Sequence, residues 1–126
     1  MPSAELRVDL PPETVWSTIT DVDAWSRWGP TVTGAKVDDD APLANGVRGM
    51  VTTAVGASLP FEITEFSEGR VWAWKVAGVD ATRHEVIPTA GGCVLSFGAP
   101  IWAVGYLPVL AIALARIERL ASERRD

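Results

Sequence analysis

The chain has one cysteine and one histidine in 126 residues. A lone Cys93 admits no internal disulfide. One Cys and one His fall short of the four ligands of a structural zinc site, and no EF-hand spacing occurs, so neither a metal nor a cofactor is expected. Basic residues are also sparse: 11 Lys and Arg against 16 Asp and Glu leave a net charge of −5. Only Arg124 and Arg125 are adjacent, whereas a nucleic-acid surface needs clustered cations, so no nucleic-acid partner is expected. There is no repeat and no linker, which points to one domain over residues 1–126. The opening MPSAELRVDL lacks the basic start and apolar run of a signal peptide, making the cytoplasm the expected compartment. Long apolar runs are missing too, with one partial exception. Ala99–Ala115 carries no charge, but it is shorter than the roughly twenty apolar residues of a membrane span and contains Pro100, Gly105 and Pro108. Membrane contact is therefore not expected from it.

What the chain does have is tryptophan. There are six, and Trp16, Trp25 and Trp28 fall close together near the start. A hydrophobic content of 48% with 21% charged residues is that of an ordinary globular domain, so these indoles have a core to enter. Leu6, Val8 and Leu10 alternate with Glu5, Arg7 and Asp9, which predicts a strand with one wet face over Glu5–Leu10. Pro11-Pro12 ends it and opens a helix, with Glu13 in the first turn and Val15, Ile19 and Val22 at helical spacing. Asp21 is placed to cap a second short helix that carries Trp25 and Trp28 on one side, and Gly29-Pro30 closes that helix.

Strand patterns then recur about every ten residues, as in an antiparallel meander. The segments are Thr33–Asp38, Gly46–Val55, Leu59–Phe66, Val71–Ala77, Asp80–Ile87 and Cys93–Phe97, with turns at Ser67–Arg70, Gly78 and Thr89–Gly92. Asp38-Asp39-Asp40 reads as a loop. The last segment is helical: Leu107, Leu110, Leu114, Ile117 and Ala121 form one stripe, and Glu118, Arg119, Glu123 and Arg124 wet its second half. Its first half is apolar nearly all round, with Val109, Ile112 and Ala113 off the stripe. Such a helix is expected to be covered on more than one side, which suggests a sheet curled around it.

Three motifs carry a family resemblance. They are the opening from Pro11 to Trp28, the corner Glu65-Phe66-Ser67-Glu68-Gly69-Arg70 leading into Val71-Trp72-Ala73-Trp74, and the strand start Gly91-Gly92-Cys93-Val94-Leu95-Ser96. With these in this order the chain resembles the polyketide cyclase/dehydrase-like branch of the START-like, or SRPBCC, superfamily. Cys93 stands where that family usually has threonine. The resemblance implies an α+β helix-grip fold: a curved antiparallel sheet of about six to seven strands wrapped around a long C-terminal helix, with two short helices after the first strand. It also implies an apolar cavity for a lipid- or polyketide-like molecule. The last helix departs from the family in being almost purely apolar before Arg116.

His84 is the candidate for chemistry. Alternation places it with Thr82 and Val86, opposite Arg83 and Glu85, and histidine titrates near neutral pH. It serves either as a proton-transfer group or as a neutral histidine bonded to a hydroxyl on the cavity wall. A Cys93–His84 nucleophile requires the two to be neighbours in paired strands. Trp72 and Trp74 share a strand face and form an apolar wall with N–H donors. Trp16 is expected to pack the first helix on the sheet, and Trp25 and Trp28 serve either as core or as a lid. Tyr106, at the helix entrance, brings a hydroxyl. The expected ligand-binding set is thus Trp28, Phe61, Trp72, Trp74, His84, Tyr106, Leu110 and Leu114. The expected function is binding of a small hydrophobic molecule. The alternatives are a polyketide cyclase or dehydratase using His84 or Tyr106, and an accessory protein acting through a dimer or membrane contact of the last helix.

Overall fold

A computed structural model describes residues 2–100, 105 and 107–124. Seven strands form a single antiparallel sheet: β1 (Ser3–Val8), β2 (Val32–Val37), β3 (Arg48–Thr53), β4 (Ser58–Ser67), β5 (Val71–Val76), β6 (Val79–Thr89) and β7 (Gly92–Gly98). Their spatial order is β1-β7-β6-β5-β4-β3-β2. From β2 onward each strand pairs with the next in sequence, the meander that the turn spacing predicted. The first two strands end on opposite edges. Between them run α1 (Pro12–Thr20), a 3-10 turn at Val22–Ala24 and α2 (Trp25–Trp28), which close one end of the curved sheet. The long helix α3 (Leu107–Arg124) packs on β1, β7, α1 and α2.

Local chemistry explains the elements. Pro12 sits at the start of α1, where its missing N–H costs nothing, and Glu13 lies in the first turn. α1 stops at Asp21, whose extended backbone (φ −80°, ψ 99°) ends one helix while its carboxylate accepts from the Asp23 N–H at 3.2 Å and starts the next turn. The same carboxylate accepts from Arg124 and ties the end of α3 to this junction. Ala77 and Gly78 form a two-residue turn between Val76 and Val79, both at positive φ (53° and 77°), the arrangement that suits the right-handed twist of a hairpin. Asp38–Asp40 is a 3-10 turn rather than plain loop, with Asp39 and Asp40 also at positive φ.

Three register shifts bend the sheet. β2 carries an extra residue at Thr33, β4 one at Thr64, and β6 one at Ala81–Thr82 facing the Ala73–Lys75 stretch of β5. An extra residue on one strand increases local twist and re-aims its side chain. Inside the bend lies one continuous core, including Val8, Val15, Ile19, Trp25, Ile63, Trp72, Val86, Leu95, Phe97 and Ile117.

The coverage expected for α3 is not what the structure shows. Leu110, Ala113, Leu114, Ile117, Leu120 and Ala121 are buried, but Ala111 and Ala115 are exposed and Ile112 is 48% exposed. The sheet and the short helices cover one side only, so the apolar outer face of the first half is open. Ala113, placed off the stripe by its spacing, belongs to the buried side. No helix among the described residues is long and apolar enough to cross a membrane.

Candidate functional site

Five tryptophans, one histidine and three phenylalanines make the interior largely aromatic. Trp25, from α2, stacks on Trp72 of β5 with centroids 5.0 Å apart and planes 9° apart. The other face of Trp72 stacks on His84 of β6 at 3.8 Å. Phe97 of β7 meets His84 edge-on at 4.5 Å, and Trp28 lies against both Phe97 and His84. Phe61 and Trp74 pack edge-on against Trp25. Trp16 faces Phe66 at 5.7 Å and donates to Glu68 at 3.2 Å, fixing α1 to the β4–β5 corner as expected.

His84 is 2% exposed and sits in a closed hydrogen-bond chain. Its Nδ1 is 3.1 Å from the Trp72 carbonyl oxygen, which can only accept, so Nδ1 carries the proton. Nε2 is then a bare acceptor, 3.0 Å from the Thr82 hydroxyl, which donates to it. Thr82 in turn accepts the Trp74 indole N–H at 2.9 Å. Burial pulls His84 down to a pKa of about 3, with only the Trp72 carbonyl opposing the shift. The ring is neutral at pH 7, a weak base, and its basic nitrogen is occupied. Of the two roles open to His84, its geometry is that of a neutral wall histidine.

The Cys93–His84 pairing does not occur. His84 faces Phe97, whereas Cys93 pairs with Pro88 and Val8. Phe97 and Cys93 are four steps apart along the strand, about 13 Å. Burial, with Glu13 nearby, also pushes the Cys93 thiol up, away from the reactive thiolate. On the outer face, Arg83 grips Glu65 through two bonds of 2.9 and 3.2 Å and Glu85 through one of 3.0 Å. Those bonds hold Glu65 below the usual carboxylate range and Arg83 above its own.

Two adjoining spaces remain in the interior. The inner one, about 60 Å³, is walled by Trp25, Trp28, Trp72, Trp74, Thr82, His84, Phe97, Val109, Leu110 and Ala113, together with Gly29, Pro30, Thr31 and Val32. The outer one, about 270 Å³, shares Thr31, Val32, Trp74 and Thr82 with it and adds Val51, Thr53, Val76, Ala81, Ala99 and Pro100. Together they reach the low end of the range for small-molecule pockets, roughly 300 Å³. No described residue on either wall is charged.

The expected residues Trp28, Trp72, Trp74, His84 and Leu110 therefore converge on the inner space. Phe61 and Leu114 do not reach it. They are buried behind the wall, Phe61 against Trp25 and Trp74. Tyr106 lies outside the described residues. Trp25 and Trp28 are both core, 2% and 6% exposed, which leaves no free lid. Trp25, Thr82, Phe97, Val109 and Ala113 also line the inner space and were not in the expected set. Only Thr82 had a usable signal, its alternation with His84.

A curved antiparallel sheet gripping one long helix around an aromatic, uncharged cavity defines a class, and the comparisons place the chain within it. It belongs to the family described as polyketide cyclase / dehydrase and lipid transport, whose model matches residues 3–119. No curated protein sequence matches it. Among solved structures, a protein from Mesorhizobium loti is 16% identical with a TM-score of 0.75, covering 98% of this chain and 97% of that one. The di-domain ARO/CYC StfQ of the steffimycin biosynthetic pathway is 17% identical with a TM-score of 0.69, and 98% of this chain matches 50% of it. Norcoclaurine synthase from Thalictrum flavum is 14% identical with a TM-score of 0.63, covering 98% of this chain and 94% of that one. At such identities these structures establish the shared fold.

Proposed function

We propose that the chain binds a small, uncharged, largely apolar molecule in the paired spaces on the inner face of the sheet, the inner of which is also walled by α3. The observation that carries this reading is the lining itself: aromatic and aliphatic side chains, a few fixed polar groups and no charge, within a fold whose family is described by cyclase, dehydrase and lipid-transport activities. Trp28, Trp72, Trp74, His84 and Leu110 form the contact surface, and Thr82 orients it. Binding is favoured over proton-transfer catalysis, because His84 is neutral with both ring nitrogens engaged. The open outer face of α3 around Ile112 is the surface on which an accessory role through a second copy or a lipid layer would depend.

The test is Ala113→Leu, which places a larger side chain at the wall of the inner space. Native mass spectrometry of protein purified without detergent should show a retained small molecule on the parent chain and none on the variant. Lipophilic compounds should raise the melting temperature of the parent only. A ligand retained equally by both proteins moves the site elsewhere. Chemical conversion of a bound compound that His84→Ala abolishes restores the enzyme reading.

A further inference from the structure

Four buried side-chain polar atoms have no hydrogen-bond partner among the described residues: Trp28 Nε1, Thr53 Oγ1, Trp72 Nε1 and Thr89 Oγ1. Three of these residues stand on the cavity walls. The other described indoles are all satisfied: Trp16 by Glu68, Trp25 by the Ile19 carbonyl and Trp74 by Thr82. The two residues that carry unspent indole donors thus both line the same small chamber, and are only 6% and 0% exposed.

An indole N–H donates and cannot accept. Leaving it buried without an acceptor is costly, and native structures rarely do so without a reason. We propose that Trp28 and Trp72 recognise a neutral oxygen acceptor, a carbonyl in chemical terms, carried by the apolar ligand of the cavity. This inference rests on the binding function proposed above and names the polar group that the ligand carries. A cation meets two N–H groups that repel it and finds no described carboxylate on the wall to offset its loss of water. A carboxylate finds no described cation on the wall to offset its loss of water. A ketone or quinone-like oxygen meets both conditions, with its hydrocarbon remainder in the outer space between Val51, Val76 and Ala99.

Three naphthalene probes of similar shape separate the possibilities: 2-acetylnaphthalene, 2-ethylnaphthalene and 2-naphthoate. Titration calorimetry should give the ketone about tenfold tighter binding than the hydrocarbon, the scale of one recovered hydrogen bond, with the carboxylate weakest. Proton–nitrogen correlation spectra should show the Trp28 and Trp72 indole signals shifting downfield with the ketone but not with the hydrocarbon. Trp28→Phe should erase the preference for the ketone while keeping affinity for the hydrocarbon. The spectra of the parent chain carry the test if that variant does not fold. Equal binding of ketone and hydrocarbon, with unmoved indole signals, overturns this inference and leaves the binding function standing, the donors then being served by water. Tightest binding of the carboxylate also overturns it. Failure of all three probes to bind removes the binding function itself.

Discussion

Acid should destabilise this protein through His84 by an amount that can be isolated. The ring has an ordinary pKa of 6.5 when the chain is unfolded and about 3 in the folded interior. Between those values the unfolded chain takes up a proton that the folded chain refuses, so stability falls as pH falls. The loss begins near pH 6.5, grows by about 1.4 kcal/mol per pH unit and reaches about 5 kcal/mol near pH 3, below which it levels off. That approaches the whole stability of a small domain, about 5–15 kcal/mol. Other acid-sensitive groups contribute over part of the range. Glu65, held low by Arg83, loses its partner bonds as it protonates. A His84→Gln chain keeps those groups and lacks the ring, so the difference between the two proteins reports His84 alone. Urea unfolding followed by tryptophan fluorescence, from pH 7 to pH 4, should show the parent losing ground to the variant at about 1.4 kcal/mol per unit below pH 6. Parallel profiles, or a His84 resonance titrating near 6.5 in the folded protein, would refute the closed hydrogen-bond chain drawn from Trp72 through His84 to Thr82.

Other substitutions test the frame. Ala77→Asn should stabilise by about 1 kcal/mol in thermal or urea melts, since Ala77 sits at φ 53° in a turn that asparagine fits better. Gly49→Ala should destabilise by about 3 kcal/mol or prevent folding, because a Cβ there would lie 2.2 Å from the Lys36 carbonyl oxygen and 2.6 Å from the Phe61 ring. Ile112→Glu should leave stability within about 0.5 kcal/mol, as the side chain is 48% exposed. If sedimentation shows the parent chain forming dimers that this change abolishes, the outer face of α3 is an interface.

The strands and helices were largely legible because each had a periodic pattern bounded by a strong turn or cap. Alternation of Thr82, His84 and Val86 against Arg83 and Glu85 placed the histidine inside, and burial agrees. The site was read less completely. Phe61 has the right alternation to face inward, but Trp25 and Trp74 stand between it and the open space, which no period of two reveals. The apolar first half of α3 misled, because hydrophobicity all round a helix states what it would bury and not what the fold supplies to bury it. The unspent donors of Trp28 and Trp72 were invisible for another reason: whether an N–H has a partner depends on atoms from distant strands.

The extra residues at Thr33, Thr64 and Ala81–Thr82 have a bearing on how such a receptacle changes its capacity. A substitution on the wall alters the room available by a few atoms. Deleting Thr64 would instead leave Glu65 and Phe66 opposite Ala73 and Trp72 as they are now, but remove the added twist and flatten the bend of the sheet there. Interior volume in this architecture is therefore set in coarse steps by strand length, and only trimmed by the choice of side chain.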